Sequence, residues 1–432
     1  MPQRPHILIL GAGFGGVYAA KKLAASVSSG DIDVTVVSSS NSFLFTPLLH
    51  EVATGALSPS TVAEPLREIF VHTCVRLVLG TALSIDAAAR SVAVDTAEGR
   101  RTMSYDRLVI ATGAETNYYG IAGAAEHCLP LKTLSDATAI RSRVIDMFER
   151  ASVEPDAAIR RQLLAFAVVG GGATGVETAA ELAEFVDGIA ERYHGERDCP
   201  AGDERIHMRD ESSVTVVHAG AEMLEPFHPS LRAAARRRLE QRGIVCRVGA
   251  SVVSVSPEGI ALKSGESIAA STVIWAAGVK ARVPAFVGEQ PAVVVGRLAV
   301  DAHFNLVADD RIFALGDAAA YVEPSAAPGS RPLPLLAQVA QQEASVVAQN
   351  VLASVAGKPL RSFSYHSKGS MVSIGQRFAI GQIYAARVSG IIAWLMWRTI
   401  YLSKFASWRK RLRISFEWLI ELGFPRDITK IS

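Results

Sequence analysis

Residues 6–17 read His6-Ile7-Leu8-Ile9-Leu10-Gly11-Ala12-Gly13-Phe14-Gly15-Gly16-Val17, and the fold of the chain turns on them. The first five form an apolar run with no polar alternation, as expected of a strand buried on both faces of a parallel sheet. Gly11, Gly13 and Gly16 follow in G-x-G-x-x-G spacing, and residues 17–23 then predict a helix. The first glycine allows a tight turn, the second admits backbone close to a pyrophosphate, and the third lets helix pack against strand. Phe14 and Gly15 complete the loop, and the helix N-terminus behind it offers free N–H groups and a positive dipole end to phosphate. A glycine-rich turn without ligand is the competing reading; the order strand, loop, helix argues against it. The glycines also interrupt the apolar stretch, so a secretory signal peptide is not expected.

At 432 residues the chain predicts two or three domains with ample cores. Apolar residues make up 49 %, charged residues 20 %, and the formal net charge is +2, so no nucleic-acid signature is present and no nucleic-acid partner is expected. No apolar run reaches the roughly 18 residues of a spanning helix. From Gly390 onward eight Lys/Arg stand against three Asp/Glu, whereas 36 stand against 39 before it, so a faintly acidic body carries a basic tail. Cys74, Cys128, Cys199 and Cys246 lie far apart with no C-x-x-C pair. That argues against a disulfide framework, a zinc site or a dithiol couple, and no metal is expected.

After the first helix, residues 33–37 predict a second strand. In an FAD- or NAD-binding unit an acidic side chain usually closes this strand and bonds a ribose hydroxyl. Ser38-Ser39-Ser40 stand there instead, and Ser38 makes a weaker version of that contact. Residues 43–55 are apolar, interrupted by Pro47, and predict neither a regular strand nor a long helix. Short strands follow from 75 to 111; the last runs through Ala111 into Thr112-Gly113, where glycine lets backbone lie against a phosphate-bearing ligand. Residues 133–162 predict charged helix.

A second unit then begins. Residues 165–169 predict a strand, Gly170, Gly172 and Gly175 repeat the glycine spacing, and residues 176–182 open a helix. A chain with two such units about 160 residues apart has a use for both: one holds a flavin and the other presents a nicotinamide to it. Residues 187–212 are polar with little apolar periodicity, and most of them are expected to form an exposed insertion. The strand at 214–217 ends at His218. A carboxylate there would accept from the adenosine 2′-hydroxyl and repel a 2′-phosphate; histidine does neither and, once protonated, attracts the phosphate, so NADH and NADPH stand level. A solvent-facing strand end is the plainer reading of His218. Residues 271–278 repeat a strand running into Ala277-Gly278. Residues 311–319 predict a strand ending in Gly316-Asp317, bringing a carboxylate to a flavin ribityl hydroxyl and a helix N-terminus toward the pyrophosphate. An N-cap is the plainer role for Asp317.

With these motifs placed, the chain resembles the type II NADH dehydrogenases, single-subunit NADH:quinone oxidoreductases that pump no protons. GAGFGGV (11–17), YDRLVIATGA (105–114), VVGGGATGVETAAEL (168–182), IWAAGV (274–279) and FALGDAAA (313–320) carry the resemblance. FTPLLHEVATG (45–55) and LAQVAQQEA (336–344) are its most selective parts. The resemblance implies FAD-contacting positions at Thr46, Pro47, Ala82, Ala337 and Gln338 besides the glycine motifs, and Thr174, Glu177, His218 and Gly278 on the nicotinamide side. It further implies that Glu177 links the two half-reactions, that Gln338 and Gln342 lie by flavin and quinone head, and that Lys368 borders the quinone pocket. Gln338 would then donate to a quinone carbonyl as charge develops on it. A helix-surface glutamine and a Glu favoured by the helix N-terminus are the plainer readings.

The expected architecture is α/β with two Rossmann-like dinucleotide-binding domains. These are an FAD-binding domain at 1–125 and 297–385, an NAD(P)H-binding domain at 160–290, and a membrane-docking helical tail at 386–432. In that tail Trp394, Trp397, Trp408 and Trp418 alternate with Arg398, Lys404, Arg409, Lys410, Arg411 and Arg413. The pattern suits amphipathic helices lying in the interface, rings at headgroup depth and cations on anionic lipid. A dimerisation helix pair, giving a homodimer, is the alternative. The expected activity is transfer of a hydride from NADH or NADPH to FAD and of two electrons to a ubiquinone- or menaquinone-type acceptor, at the cytoplasmic face of a membrane. A soluble-type flavoprotein reductase with a protein acceptor, and a membrane-docked flavin redox sensor, are the rival readings. A sulfide:quinone oxidoreductase would need a redox cysteine pair flanking the flavin, and no cysteine follows Cys246.

Overall fold

His6–Leu10 is a central strand of its sheet, and Ile7, Leu8, Ile9 and Leu10 are fully buried. Aliphatic side chains on both faces leave it no solvated side, so it pairs in parallel on both edges. One neighbour is Asp33–Ser38, in the register Leu8↔Thr35; the other is Arg107–Ile110, in the register Leu8↔Leu108. Val75–Leu79 extends one end of the sheet, and Asp309–Ala314 with Asn305–Leu306 extends the other, making six strands. The Phe14–Ser26 helix leaves the glycine loop and packs along the Ala337–Val355 helix. Antiparallel strands Thr81–Asp86, Ser91–Thr96 and Gly99–Ser104 bring Ile85, Val92 and Val94 into one core with Leu8, Leu10, Ile110 and Ile312.

The computed structural model describes residues 4–26, 31–193, 208–327, 329–405 and 407–430. The sheet just described belongs to a unit formed by Met1–Leu44, Ala63–Glu115 and Val279–Ser367, and a second unit is formed by Phe45–Val62, Thr116–Gly278 and Lys368–Ser432.

The second unit repeats the plan. Ala165–Val169, buried throughout, pairs in parallel with Ser213–Val217 and Thr272–Trp275, while Val245–Arg247 and Cys128–Pro130 lie outside them. The Ala173–Tyr193 helix leaves its glycine loop. The charged stretch before it folds as two helices, Leu134–Ser152 and Ala157–Leu163, the first opened by a capping box between Thr133 and Asp136. The unit also holds an antiparallel sheet of Ser370–Ser373, Ala379–Ile383 and Ala386–Gly390, and the helices Ile391–Ser403 and Trp408–Glu421. The fold is thus α/β with two mainly parallel sheets, each with a glycine loop leaving one of its central strands, as the sequence predicts.

Three local expectations are corrected. Residues 187–193 are not an exposed insertion: the helix continues to Tyr193, with Ile189 and Ala190 fully buried. Phe185, Val186, Ile189 and Ala190 sustain an apolar stripe that the intervening charges mask. Of the rest of that predicted insertion, 194–207 with Cys199 lies outside the described residues, and Met208–Glu211 forms a short helix with Met208 buried. No helix follows Gly316-Asp317 directly; a single 3-10 turn, Gly316–Ala318, leads to Ala319–Ala320, and the next helix begins at Ala337. Of the four tail tryptophans, Trp408 alone is exposed; Trp394, Trp397 and Trp418 are buried. Their partners explain this: Arg398 stacks 3.9 Å from the Trp394 centroid and 4.7 Å from that of Trp418, and Trp397 lies against Tyr401 at 4.6 Å. Cys74, Cys128 and Cys246 are free thiols, and among the described residues no helix is long and apolar enough to cross a membrane.

Candidate active site

The two glycine loops are shaped by the same contacts. A Cβ at Gly11 (φ +101°) would stand 2.2 Å from the Ala111 carbonyl oxygen, and one at Gly16 1.9 Å from that of Gly11. At Gly170 (φ +129°) it would stand 2.4 Å from the Ala276 oxygen, and at Gly175 1.9 Å from that of Gly170. Backbone closes these four positions, so the fold itself excludes a side chain. Gly13 and Gly172 differ, because a Cβ there meets nothing within 4 Å. Packing asks for no glycine at either, and the open space sits at the helix entrance where N–H groups and dipole favour a pyrophosphate. Each loop therefore fits a dinucleotide.

In the first unit Ser38 ends its strand, its hydroxyl accepting the Ser40 N–H at 3.2 Å. Thr112 donates its hydroxyl to the Arg282 carbonyl, and Gly113 accepts the Arg282 N–H at 2.9 Å, so the Thr-Gly step is latched to residue 282. The cap of the 3-10 turn is Leu315, so Asp317 lies inside the turn and is not its N-cap. The turn rests on two groups the sequence reading missed. Gly316 donates its N–H to the Glu343 carboxylate at 2.6 Å, and Arg297 bridges the Gly316 and Leu333 carbonyls at 3.3 and 2.8 Å. Burial pushes the Glu343 carboxyl up to about 7, against the Gly316 N–H and Arg297. Ala337 and Gln338 open their helix, while the Gln342 amide is tied both ways to the His366 backbone at 3.0 and 3.3 Å. Ala82 lies in a strand, opposite Val94.

In the second unit Thr46 and Pro47 form a 3-10 turn with Leu48, and Lys368 is exposed. Thr174 accepts the Thr178 hydroxyl at 2.7 Å in the first turn of the helix. Tyr119 covers the Ala277-Gly278 step, its hydroxyl 3.5 Å from the Ala277 carbonyl. His218 directly follows its strand and turns its ring onto the glycine loop. Glu177 is buried, and its carboxylate accepts the Ser373 N–H at 3.1 Å. Burial pushes it up to about 8; the Ser373 bond opposes this and Glu181 adds to it.

Glu177 heads a cluster that no local motif announces. Glu181 and Glu184 follow on the same helix, and Arg426 bonds both, at 2.5 and 3.3 Å, together with Glu421 at 2.5 Å. The three carboxylates converge closely enough to hold a cation, and the Arg426 guanidinium supplies that charge. Glu51 is buried beside them, accepting the Trp418 indole N–H at 2.7 Å. Its carboxyl is raised well above the ordinary range, first by burial and then by Glu181 and Glu421. His50, also buried, is pushed down to about 3 by desolvation and by Arg426.

The pyridine nucleotide-disulphide oxidoreductase family model matches residues 5–344, and the NDH2 C-terminal domain model matches 367–427. The type II NADH:quinone oxidoreductase Ndh of Mycobacterium tuberculosis is 31 % identical over 431 residues, spanning 97 % of this chain and 88 % of its own. The NdhA enzyme of the same organism, also a type II NADH:quinone oxidoreductase, is 32 % identical over 429 residues, spanning 96 % and 86 %. Among solved structures, NDH2 from Plasmodium falciparum in complex with NADH has a TM-score of 0.88 at 21 % identity, covering 99 % of this chain and 100 % of that one, a likeness of fold.

Proposed function

The chain belongs to the pyridine nucleotide-disulphide oxidoreductases, in the type II NADH:quinone oxidoreductase family, and we propose that it carries electrons from NADH or NADPH through bound FAD to a membrane quinone without pumping protons. The open cradles at Gly13 and Gly172, one in each unit, carry this reading. FAD supplies, when bound, a carrier that takes two electrons from a nicotinamide and yields them to a quinone. The chain contributes position and charge. Gly13 and the helix behind it hold the FAD pyrophosphate, with Thr112-Gly113 and the Gly316-Asp317 turn also on the FAD side. Gly172 and the Ala173–Tyr193 N-terminus hold that of the nicotinamide nucleotide.

Quinol formation takes up two electrons and two protons. The donated hydride brings both electrons and one proton, so one further proton comes from water in each turnover. The Glu177 carboxyl, raised to about 8, holds a proton at neutral pH and releases it at its Oε atoms. Gln338 donates to a quinone carbonyl, and Gln342 braces its helix against the 366 segment.

The tail docks on a membrane, at its cytoplasmic face. Its helices, 13 and 14 residues long, are each about 20 Å and shorter than the hydrocarbon core. They expose Ile392, Leu395, Trp408, Leu412, Phe416 and Leu419, with Arg409, Arg411 and Arg413 alongside. That face suits an anionic bilayer surface.

The test is an assay of the purified, detergent-solubilised protein, following NADH and NADPH oxidation with and without a short-chain quinone. Quinone-dependent turnover is the expected result. Flavin reduction without quinone turnover would turn the reading to a protein acceptor or a sensor, and a preparation without flavin would end it. Light scattering with and without anionic vesicles separates membrane docking from a homodimer built through the same helices.

A further inference from the structure

His218 folds its imidazole back onto the second glycine loop, where Nδ1 accepts the Gly171 N–H at 3.1 Å. A nitrogen that accepts carries no proton, so in this arrangement the ring is neutral with its proton on Nε2. The Gly171 carbonyl in turn accepts the Leu224 N–H at 2.8 Å. That bond draws residues 219–224 back over the loop, Leu224 taking a left-handed φ of 56°. The fold-back delivers Glu225 to the same corner. A Cβ placed on Gly220 would lie 2.7 Å from His218 Nε2 and 2.8 Å from Glu225 Oε1, so imidazole edge and carboxylate flank one point. Neighbouring cations are engaged elsewhere: Arg247, whose carbonyl accepts the His218 N–H, pairs with Glu266 at 3.1 Å, and Arg232 pairs with Glu222 at 2.8 Å. Ala219 and Gly220 add no charge.

We propose that Glu225 and His218 together make this an NADH site that rejects NADPH, Glu225 supplying from the following loop the carboxylate that the strand end lacks. The assignment rests on the reading that the second glycine loop holds the nicotinamide nucleotide. In such a fold the strand end beside the loop faces the adenosine ribose. There the His218 Nε2–H donates to a ribose hydroxyl and Glu225 accepts from one. A 2′-phosphate, with a charge of about −1.5 to −2, would meet the carboxylate and a neutral ring, with no uncommitted cation among the groups just named to offset it.

The flavin-loaded enzyme is assayed with each donor and a short-chain quinone. NADH is expected to exceed NADPH in kcat/KM by roughly 100-fold, and 2′,5′-ADP to compete against NADH at least about tenfold more weakly than 5′-AMP. Glu225→Gln should narrow the donor ratio about tenfold and Glu225→Arg further still. A native donor ratio within about threefold, equal competition by the two nucleotides, or an unchanged ratio in Glu225→Gln would overturn the assignment. The competition experiment needs only the native chain and decides the matter even where a variant does not fold. If NADPH serves as well as NADH, this assignment alone falls; if neither donor reduces the flavin, the nucleotide-site reading falls with it.

Discussion

Arg426 and Glu181 meet at 2.5 Å with side chains 8 % and 5 % exposed, a buried ion pair whose partners are 245 residues apart in the chain. Burial works against the guanidinium charge, and Glu181, Glu421 and Glu184 together overcome it, holding the arginine charged beyond its ordinary range. Arg426→Met leaves buried Glu181 without its counter-charge, and Glu184 and Glu421 with only Arg242 at 3.2 Å and Arg398 at 3.4 Å, and should cost about 3–5 kcal/mol. Chemical denaturation of the purified protein measures this. Arg426→Lys keeps the charge but not the planar fork and should lose less. Equal stability of native and Met forms would mean that the cluster is neutralised by protons instead.

Glu177 predicts a pH dependence with a definite sign. Between its ordinary 4.5 and its folded value of about 8 the carboxyl is protonated in the native state and ionised in the unfolded chain. Its contribution to stability is therefore complete below 4.5, declines as pH rises through this window, and levels off above about 8. Glu177→Gln should flatten that part of the curve of unfolding free energy against pH. It should also lower quinone-dependent kcat by roughly 100-fold and remove the fall in rate that the native enzyme shows above about pH 8. A variant that keeps the alkaline fall would assign the proton to another group.

The glycines separate folding from cofactor binding. Gly16→Ala drives a Cβ to 1.9 Å from the Gly11 oxygen, so strand and helix must part, and the melting temperature should fall by several degrees or soluble protein be lost. Gly13→Ala meets nothing within 4 Å and should leave the far-ultraviolet spectrum unchanged while reducing bound flavin per chain. Flavin content equal to the native protein in Gly13→Ala would remove the pyrophosphate from that loop.

The tail tryptophans should divide by burial. Trp408→Ser with Phe416→Ser removes two exposed rings, and cosedimentation with anionic vesicles should drop while turnover of a water-soluble quinone persists. Trp418→Phe leaves the Glu51 carboxylate without its indole donor and should cost about 1–3 kcal/mol in denaturation, with vesicle binding retained. Vesicle binding that survives loss of the exposed rings would make the same face a protein contact.

Much of the fold is legible in the sequence because its signals are short-range. An apolar strand, three glycines and a helix lie within some twenty residues, and backbone clashes at Gly11, Gly16, Gly170 and Gly175 leave no other residue there. The candidate site is legible only in part. Gln342 stands out by motif, yet its amide is engaged by the His366 backbone, and Asp317 is not a cap although its sequence position suits one. Glu343 and Arg297 escape notice because a buried charge looks like a surface charge until its partners are known. The tail tryptophans mislead for the same reason: aromatic and basic residues alternate in a bilayer-facing helix and in one whose rings stack on Arg398.

The sequence by itself determined two mainly parallel sheets, two glycine loops and an amphipathic tail, since each follows from side-chain periodicity and backbone sterics within a short window. Only the tertiary structure decided which charges are buried together, which tryptophans face inward, and that the His218 ring is neutral with Glu225 beside it. Desolvation and ion pairing depend on distances in space, and residues as remote as Glu181 and Arg426 acquire those distances only when the chain has folded.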